Sequence, residues 1–448
     1  MVWLSARPTW IAGTLFAVVV AGAACASQAS TFVKSASARR PYMGWSSWST
    51  MRLDPTAAKI KAQARILAAR LKKYGYVYIN IDSGWWKHAN RRWEKGGFDR
   101  YGRPQPDLRK FPGGIKPLAA YIHALGLKIG LYIRPGMPRS VWQANDPILG
   151  TRYRAREIAT PSIPGNTRPD GSCGIEFNKP GAVQYLQSWA NEFAAWGVDF
   201  LKVDWVGPGG GPVKADDRSW LAHFAQAVKR TGRPIWLELS SHLNIHYAAL
   251  WRKYANGWRI TGDIEAYGTP DLTNWLHVSY RFRAAAKWAR FAGPGGWNDL
   301  DSLEIGNGKR DGLTPAQRRT TMTLWCLSCA PLYLGSDLTH LTRRDFKIIT
   351  NRAAIAIDQA GRPATPVSQA APQQVWRVPN ANGTYTVALF NLAKRRALVT
   401  ARWASLGFHG RARVRDLWLH RSLGIFRNKF NAVLGPQACR LLTATPVR

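Results

Sequence analysis

The chain has 448 residues, 46% of them hydrophobic, enough for a large core plus a smaller domain, which excludes disorder for most of it. Its 63 lysines and arginines against 26 acids leave a net charge of +37, which attracts polyanions; yet the cations are spread along the whole chain and no nucleic-acid-binding motif accompanies them. Five cysteines are few for an exported protein that relies on cross-links, so size and not disulfides must hold the fold.

The chain opens with a single early cation, Arg7, then an apolar run over 10–24 and the triplet Ala24-Cys25-Ala26. That pattern predicts an export signal over 1–26, hence a secreted or periplasmic protein. Gly22-Ala23-Ala24 lacks the bulky residue that would favour lipid attachment at Cys25. No other stretch reaches the roughly 20 apolar residues of a transmembrane helix. A polar linker over 27–39 follows.

From 40 to 359 strand-like apolar runs alternate with amphipathic helical segments, the pattern of a parallel α/β fold. Eight strands are predicted, at 42–48, 76–82, 128–133, 199–204, 235–239, 257–263, 296–301 and 330–335. Helices are predicted between them at 57–74, 115–125, 182–196, 219–230, 278–289 and 314–329. Eight strand-helix units predict a closed (β/α)8 TIM barrel. Cys326 and Cys329 lie in an apolar helical segment that offers no further metal ligands, so buried packing is expected of them. After about Gln359, Pro363, Pro366 and Pro372 interrupt the chain, and short strands joined by Asn382-Gly383 follow. A small C-terminal antiparallel β-sandwich domain is therefore expected over 360–448.

In such barrels the active site forms at the C-terminal ends of the strands. The residues there are acidic: Asp82, Asp204, Glu238, Asp263, and Asp299 with Asp301. Converging carboxylates serve as metal ligands, as a hydroxyl-binding set or as the pair of glycoside hydrolysis. Lys202, two residues before Asp204, and Arg259, four before Asp263, place cations among the acids and disfavour a divalent metal. Tryptophans crowd the same strand ends, Trp45, Trp48, Trp85, Trp86, Trp205, Trp258 and Trp297 among them, and indole faces stack on sugar rings. Lys202 favours an ionised Asp204, the state a nucleophile needs; Asp263, preceded by Gly262, is the better acid/base candidate, for which a raised pKa is expected. Spacing alone does not assign these roles. The plainer readings are a barrel-end salt bridge for Asp204 with Lys202, a buried structural partner for Glu238, and packing positions for His123 and His242. Asp299 is left outside the catalytic set.

These segments resemble glycoside hydrolase family 27, the α-galactosidase (melibiase) family, along nearly all of the mature chain. Met43-Gly44-Trp45-Ser46-Ser47-Trp48 is similar to its Met-Gly-Trp-Asn-Ser-Trp opening. The run 196–204 resembles its nucleophile strand, 258–264 its acid/base strand and 293–301 its seventh strand, and 414–418 is similar to part of its C-terminal sandwich. The resemblance implies a retaining mechanism through a covalent intermediate at Asp204, with Asp263 as acid/base and neither metal nor organic cofactor. It also implies that Asp82, Lys202, Arg259 and Asp301 hold sugar hydroxyls, that Trp45 lines the pocket and that Glu238 lies near the 2-position. The substrate would be an oligo- or polysaccharide, with no specific nucleic acid partner.

Three departures bear on specificity. Asp82-Ser83-Gly84 stands where the family usually has Asp-Asp-Cys, which removes a carboxylate that grips galactose hydroxyls. Leu300 and Ser302 replace the common Pro and Met around Asp301. The segment 134–180 is longer than in well-known members. Loss of one charged hydrogen bond costs roughly 1.5–3 kcal/mol, so the expected α-galactosidase competes with β-L-arabinopyranosidase, isomalto-dextranase and α-N-acetylgalactosaminidase activities. A non-catalytic sugar- or polyanion-binding protein is the remaining alternative.

Overall fold

The computed structural model describes residues 36–86, 97–161, 171–209, 215–369 and 371–447; the predicted export signal lies outside them. Eight parallel strands form one sheet. They are β1 (Met43–Ser46), β2 (Tyr78–Ile81), β3 (Lys128–Ile133), β4 (Phe200–Val203), β5 (Trp236–Leu239), β6 (Gly257–Arg259), β7 (Trp297–Asp299) and β8 (Leu332–Leu334). Sequence neighbours pair throughout, and β8 returns to pair with β1, Met43 opposite Leu332. Between β7 and β8 the join is a single parallel bridge, Leu303 to Leu334.

Alternation along each strand sorts the side chains by depth. On β4, Leu201 and Val203 face outward beneath the helices and are fully buried, while Phe200 and Lys202 face the barrel interior. Phe200 belongs to an aromatic floor with Tyr42, Tyr78, Trp236, Trp297 and Tyr333, where Tyr42 meets the Phe200 and Trp236 rings edge-on at 4.9 and 5.2 Å. Two residues further along each strand comes a charged middle layer: Lys202, Glu238, Arg259 and Asp299. Two further still come the acids that end the strands, Asp82, Asp204 and Asp301. The end of the segment expected to be a linker belongs to this floor. Residues Ala36–Arg39 make a short turn, and the Ala38 carbonyl accepts from Trp297 Nε1 at 3.0 Å.

The outer ring contains α1 (Ala57–Ile66), α2 (Ile115–Ala124), α3 (Ala182–Trp196), α4 (Arg218–Arg230), α5 (Ala248–Tyr254), α6 (Arg281–Trp288), α7 (Pro315–Ser328), α8 (Arg343–Ile349) and α9 (Arg352–Gln359). The helix predicted over 57–74 is α1 followed by a wide turn at Leu67–Leu71 and a tight one at Lys72–Tyr74. Residues i, i+3 and i+4 bury one face of α3, with Tyr185, Trp189 and Phe193 inward. Helix α7 starts on a capping box, Thr314 with Gln317, and Pro315 at its first position. It is buried on nearly every side because the second domain covers it.

That domain is an antiparallel sandwich: β9 (Thr365–Ser368), β10 (Gln373–Pro379), β11 (Tyr385–Asn391), β12 (Ala397–Arg402), β13 (Arg411–Asp416), β14 (Arg421–Arg427), β15 (Lys429–Leu434) and β16 (Cys439–Val447). Six strands in the order β9-β10-β11-β16-β13-β14 face the pair β12-β15. Val387, Leu389, Trp403, Val414, Phe430 and Leu442 fill the space between. Its contact with the barrel is both polar and aromatic: Thr320 Oγ1 donates to the Gln437 carbonyl at 2.9 Å, and the Phe282 and Phe390 rings meet at 4.9 Å. Cys173, Cys326, Cys329 and Cys439 are buried, and apolar burial stabilises both domains, at about 1.5–3 kcal/mol for each large side chain fully removed from water.

Candidate active site

The strand ends surround a cavity of about 440 Å³ lined by Asp82, Lys202, Asp204, Arg259, Asp263 and Asp301. Each charge in it is held by a neighbour. Asp82 Oδ2 accepts from Lys202 Nζ at 2.8 Å and its Oδ1 from the Ser83 amide at 2.7 Å. Burial pushes the Asp82 carboxyl up against the pull of Lys202. Burial works against the Lys202 charge too, but the carboxylates of Asp82 and Asp204 outweigh it and push the ammonium well above its ordinary value.

Asp204, just past β4, accepts at Oδ2 from the Tyr132 hydroxyl at 2.9 Å, while Arg134 Nε donates to that hydroxyl at 2.8 Å. Trp205 follows at φ 61, a left-handed conformation that is costly for a bulky residue and turns the chain sharply away from the strand. Across the cavity, Arg259 Nη2 lies 2.6 Å from Asp301 Oδ2 and 3.1 Å from Asp263 Oδ1. Asp263 Oδ2 accepts from Tyr267 Oη at 2.8 Å, and Tyr267 accepts from Trp48 Nε1 at 2.8 Å. The Asp263 side chain retains 42% of its exposure. Partial burial acts to raise its pKa, but the Arg259 and Lys202 cations and the Tyr267 hydrogen bond outweigh that and hold the carboxyl below its ordinary value. The raised value expected from sequence is not found, because two cations and a phenol hold the carboxylate there.

Two residues expected at the substrate stand elsewhere. Trp45 is fully buried and donates to the Ser336 carbonyl at 2.9 Å. It points outward from β1, and Trp48, three residues on and past the strand end, lines the cavity instead. Glu238 occupies the layer below the cavity, 2% exposed, accepting from Trp236 Nε1 at 2.8 Å. It fits there because residue 257 is glycine: a Cβ at Gly257 would lie 2.1 Å from Glu238 Oε2. Burial and the adjacent Asp299 push the Glu238 carboxyl up, and burial brings Asp299 to about 6.

Sequence reasoning missed Tyr132, Tyr267, Arg134 and Glu265, all of which line the cavity. Glu265 belongs to a second buried cluster. Ser49 Oγ lies 2.8 Å from both Glu265 Oε1 and Glu304 Oε1, and Ser302 Oγ donates to Glu304 Oε1 at 2.7 Å. A hydroxyl has one proton to donate, so one of the two contacts of Ser49 needs a proton supplied by a carboxyl. Burial, with the neighbouring carboxylates, raises Glu265 to about 8, and burial raises Glu304 to about 7. Residue 335 has to be glycine for the cluster to close, since a Cβ there would lie 2.1 Å from Glu304 Oε1.

Asp263, Glu265 and Asp301 bring carboxylate oxygens within 4.8 Å of one another, a spacing a cation could use. Arg259 already supplies positive charge to two of the three. The arrangement instead suits a neutral, hydroxyl-rich ligand, with paired charges as donors and acceptors and the indole and phenol rings of Trp48, Tyr132 and Tyr267 as walls.

Comparison with known proteins agrees with this geometry. Residues 40–141 and 172–360 match the model of a family described as alpha galactosidase A. Residues 370–444 match that of the alpha galactosidase C-terminal beta sandwich domain. The unmatched stretch 142–171 falls within the segment read as unusually long. An alpha-galactosidase of Oryza sativa subsp. japonica is 30% identical over 91% of this chain and 85% of its own length; that of Cyamopsis tetragonoloba is 31% identical over 91% and 86%. Among solved structures, a GH27 β-L-arabinopyranosidase from Geobacillus stearothermophilus has 32% identity and a TM-score of 0.84, covering 91% of this chain and 97% of that one. Alpha-galactosidase I from Mortierella vinacea has 28% identity and a TM-score of 0.71, covering 91% and 97%.

Proposed function

The chain belongs to the alpha galactosidase A family of glycoside hydrolases, and from that membership we propose that it is a retaining α-galactosidase working through Asp204 and Asp263. Asp204 attacks the anomeric carbon while Asp263 gives its proton to the leaving glycosidic oxygen. Asp263 then takes a proton from water, and that water cleaves the ester at Asp204, which returns both groups to their starting states. The observation that carries this reading is that the two carboxyls, 59 positions apart in the chain, face one cavity with different neighbours. The Tyr132 hydroxyl donates to Asp204, whereas Asp263 faces Arg259 and Tyr267. The Arg259 and Tyr267 contacts mean that Asp263 gains its proton only when a bound sugar excludes water and weakens them, so protonation accompanies binding.

Asp82 and Lys202 on one side, and Arg259 with Asp301 on the other, are placed to hold ring hydroxyls. Ser83 supports a second reading, β-L-arabinopyranosidase: β-L-arabinopyranose is α-D-galactose without its hydroxymethyl group, and a site one carboxylate poorer in grip suits the smaller sugar. Rates on nitrophenyl α-D-galactoside and β-L-arabinopyranoside rank the two, and proton NMR of the first-formed sugar tests retention. Initial release of the opposite anomer would exclude the double displacement. Export is part of the proposal, resting on the leader over 1–26, and the N-terminus of protein recovered outside the cytoplasm tests it.

A further inference from the structure

The charge of the chain is not even once the domains are separated. Residues 360–448 contain fourteen lysines and arginines against one acid, Asp416. That acid is fully buried and accepts from Arg440 at 2.6 Å. On β13 the pattern alternates exposed and buried, so Arg411, Arg413 and Arg415 project from one face, roughly 7 Å apart by strand geometry. Arg427 on β14 stands opposite Arg411.

This row runs toward a groove of about 1130 Å³ between the barrel helices and the sandwich. Arg415 reaches the His420 carbonyl at 3.3 Å, and His420 lines the groove. So do the exposed cations Arg319, Arg344, Lys347 and Arg352, beside Tyr74 and Trp418. Among the described residues, no carboxylate lines it. Asp345, on the same helix as Arg344 and Lys347, is turned inward, fully buried against Arg318 at 2.5 Å.

We propose that this groove and the β13 arginine row form a binding site for a carboxylate-bearing polysaccharide chain, separate from the catalytic cavity. Guanidinium groups take carboxylates in two-point hydrogen bonds, and cations repeated at strand spacing match an anion repeated along a polymer. Nucleic acid fits less well, because the ring faces that would stack bases are covered by the protein's own cations: Arg352 lies 4.9 Å from the Tyr74 centroid and Arg319 5.8 Å from that of Trp418. Family membership independently favours a sugar polymer. A catalytic domain tethered to such a chain meets its glycosyl branches at a raised local concentration.

The test uses the full chain and polygalacturonate as probe, with affinity measured at low salt and at about 200 mM salt. The double variant Arg344→Glu/Lys347→Glu should bind at least about tenfold more weakly than wild type and lose salt dependence. The double variant Arg283→Glu/Lys287→Glu on α6, with the same change of net charge, should bind nearly as wild type. Both should hydrolyse a nitrophenyl glycoside as wild type does. Should the first pair misfold, Arg411→Ala/Arg413→Ala gives the same reading. The proposal falls if the two glutamate variants weaken binding equally, if wild type does not retain polygalacturonate, or if it holds duplex DNA as tightly at the same salt. Groove-dependent binding by a chain that hydrolyses no glycoside would leave this site standing and remove the proposed activity instead.

Discussion

The cavity at the strand ends and the groove beside the sandwich are both built around arginine and lysine, and they use them in opposite ways. In the cavity Lys202 is opposed by Asp82, and the buried Arg259 by Asp301 and Asp263. In the groove Arg344, Lys347 and Arg352 are exposed, and the nearby acid Asp345 is turned away from them. Opposed buried charges fix geometry and proton positions in a site where solvent does not screen them. Unopposed surface charges attract at long range and are screened by salt. One region therefore suits chemistry on a neutral sugar, and the other suits retention of an anionic chain.

Several substitutions sharpen this contrast. Asp204→Asn should lower kcat by about 10⁴-fold or more on every glycoside while the circular dichroism spectrum and Tm stay close to wild type; near-normal turnover would remove the nucleophile assignment. Asp263→Asn should cost about 10²–10⁴-fold on substrates with poor leaving groups and much less on dinitrophenyl glycosides. A loss independent of the leaving group would point to a structural role.

Tyr267→Phe removes one of the contacts that hold Asp263 low. Its carboxyl should rise, moving the alkaline limb of kcat/KM to higher pH, with a rate change of only about 3–10-fold. An unmoved limb would contradict the coupling.

The smallest effect concerns stability. Glu265 holds its proton in the folded state up to about 8, whereas in the unfolded chain it ionises near its ordinary value. Between those two values the folded state binds more protons, so stability falls as pH rises. Glu265→Gln should therefore gain in Tm relative to wild type from pH about 5 to about 8. A constant Tm difference across that window would show that the carboxyl is already ionised in the fold.

Much of this was legible in the chain. The alternation of strand and helix predicted the eight parallel strands, and the rule that acids end barrel strands picked out Asp82, Asp204, Asp263 and Asp301, which do share a cavity. What escaped was depth. Trp45 faces outward from β1 while Trp48 lies past the strand end at the start of a helical turn, so nearness in sequence to the site did not reveal which tryptophan reaches it. Glu238 stops one layer short because it pairs in register with Lys202, two residues before Asp204, and Gly257 makes room beneath the cavity. Tyr132 and Tyr267 read as packing aromatics until their hydroxyls are seen 2.9 and 2.8 Å from the two carboxylates. The Ser49, Glu265 and Glu304 cluster joins segments more than 200 residues apart, and no local pattern announces it. Neither does the groove, whose cations come from three helices, α7, α8 and α9.

The most direct test of the central claim is to trap the glycosyl-enzyme with a 2-deoxy-2-fluoro galactosyl reagent and map the labelled peptide by mass spectrometry. The expected result is one sugar per chain, attached to Asp204, with time-dependent loss of activity that excess galactose slows. Attachment to any other residue, or full inactivation with Asp204 unmodified, would contradict the assignment of Asp204 as nucleophile facing Asp263 across one cavity.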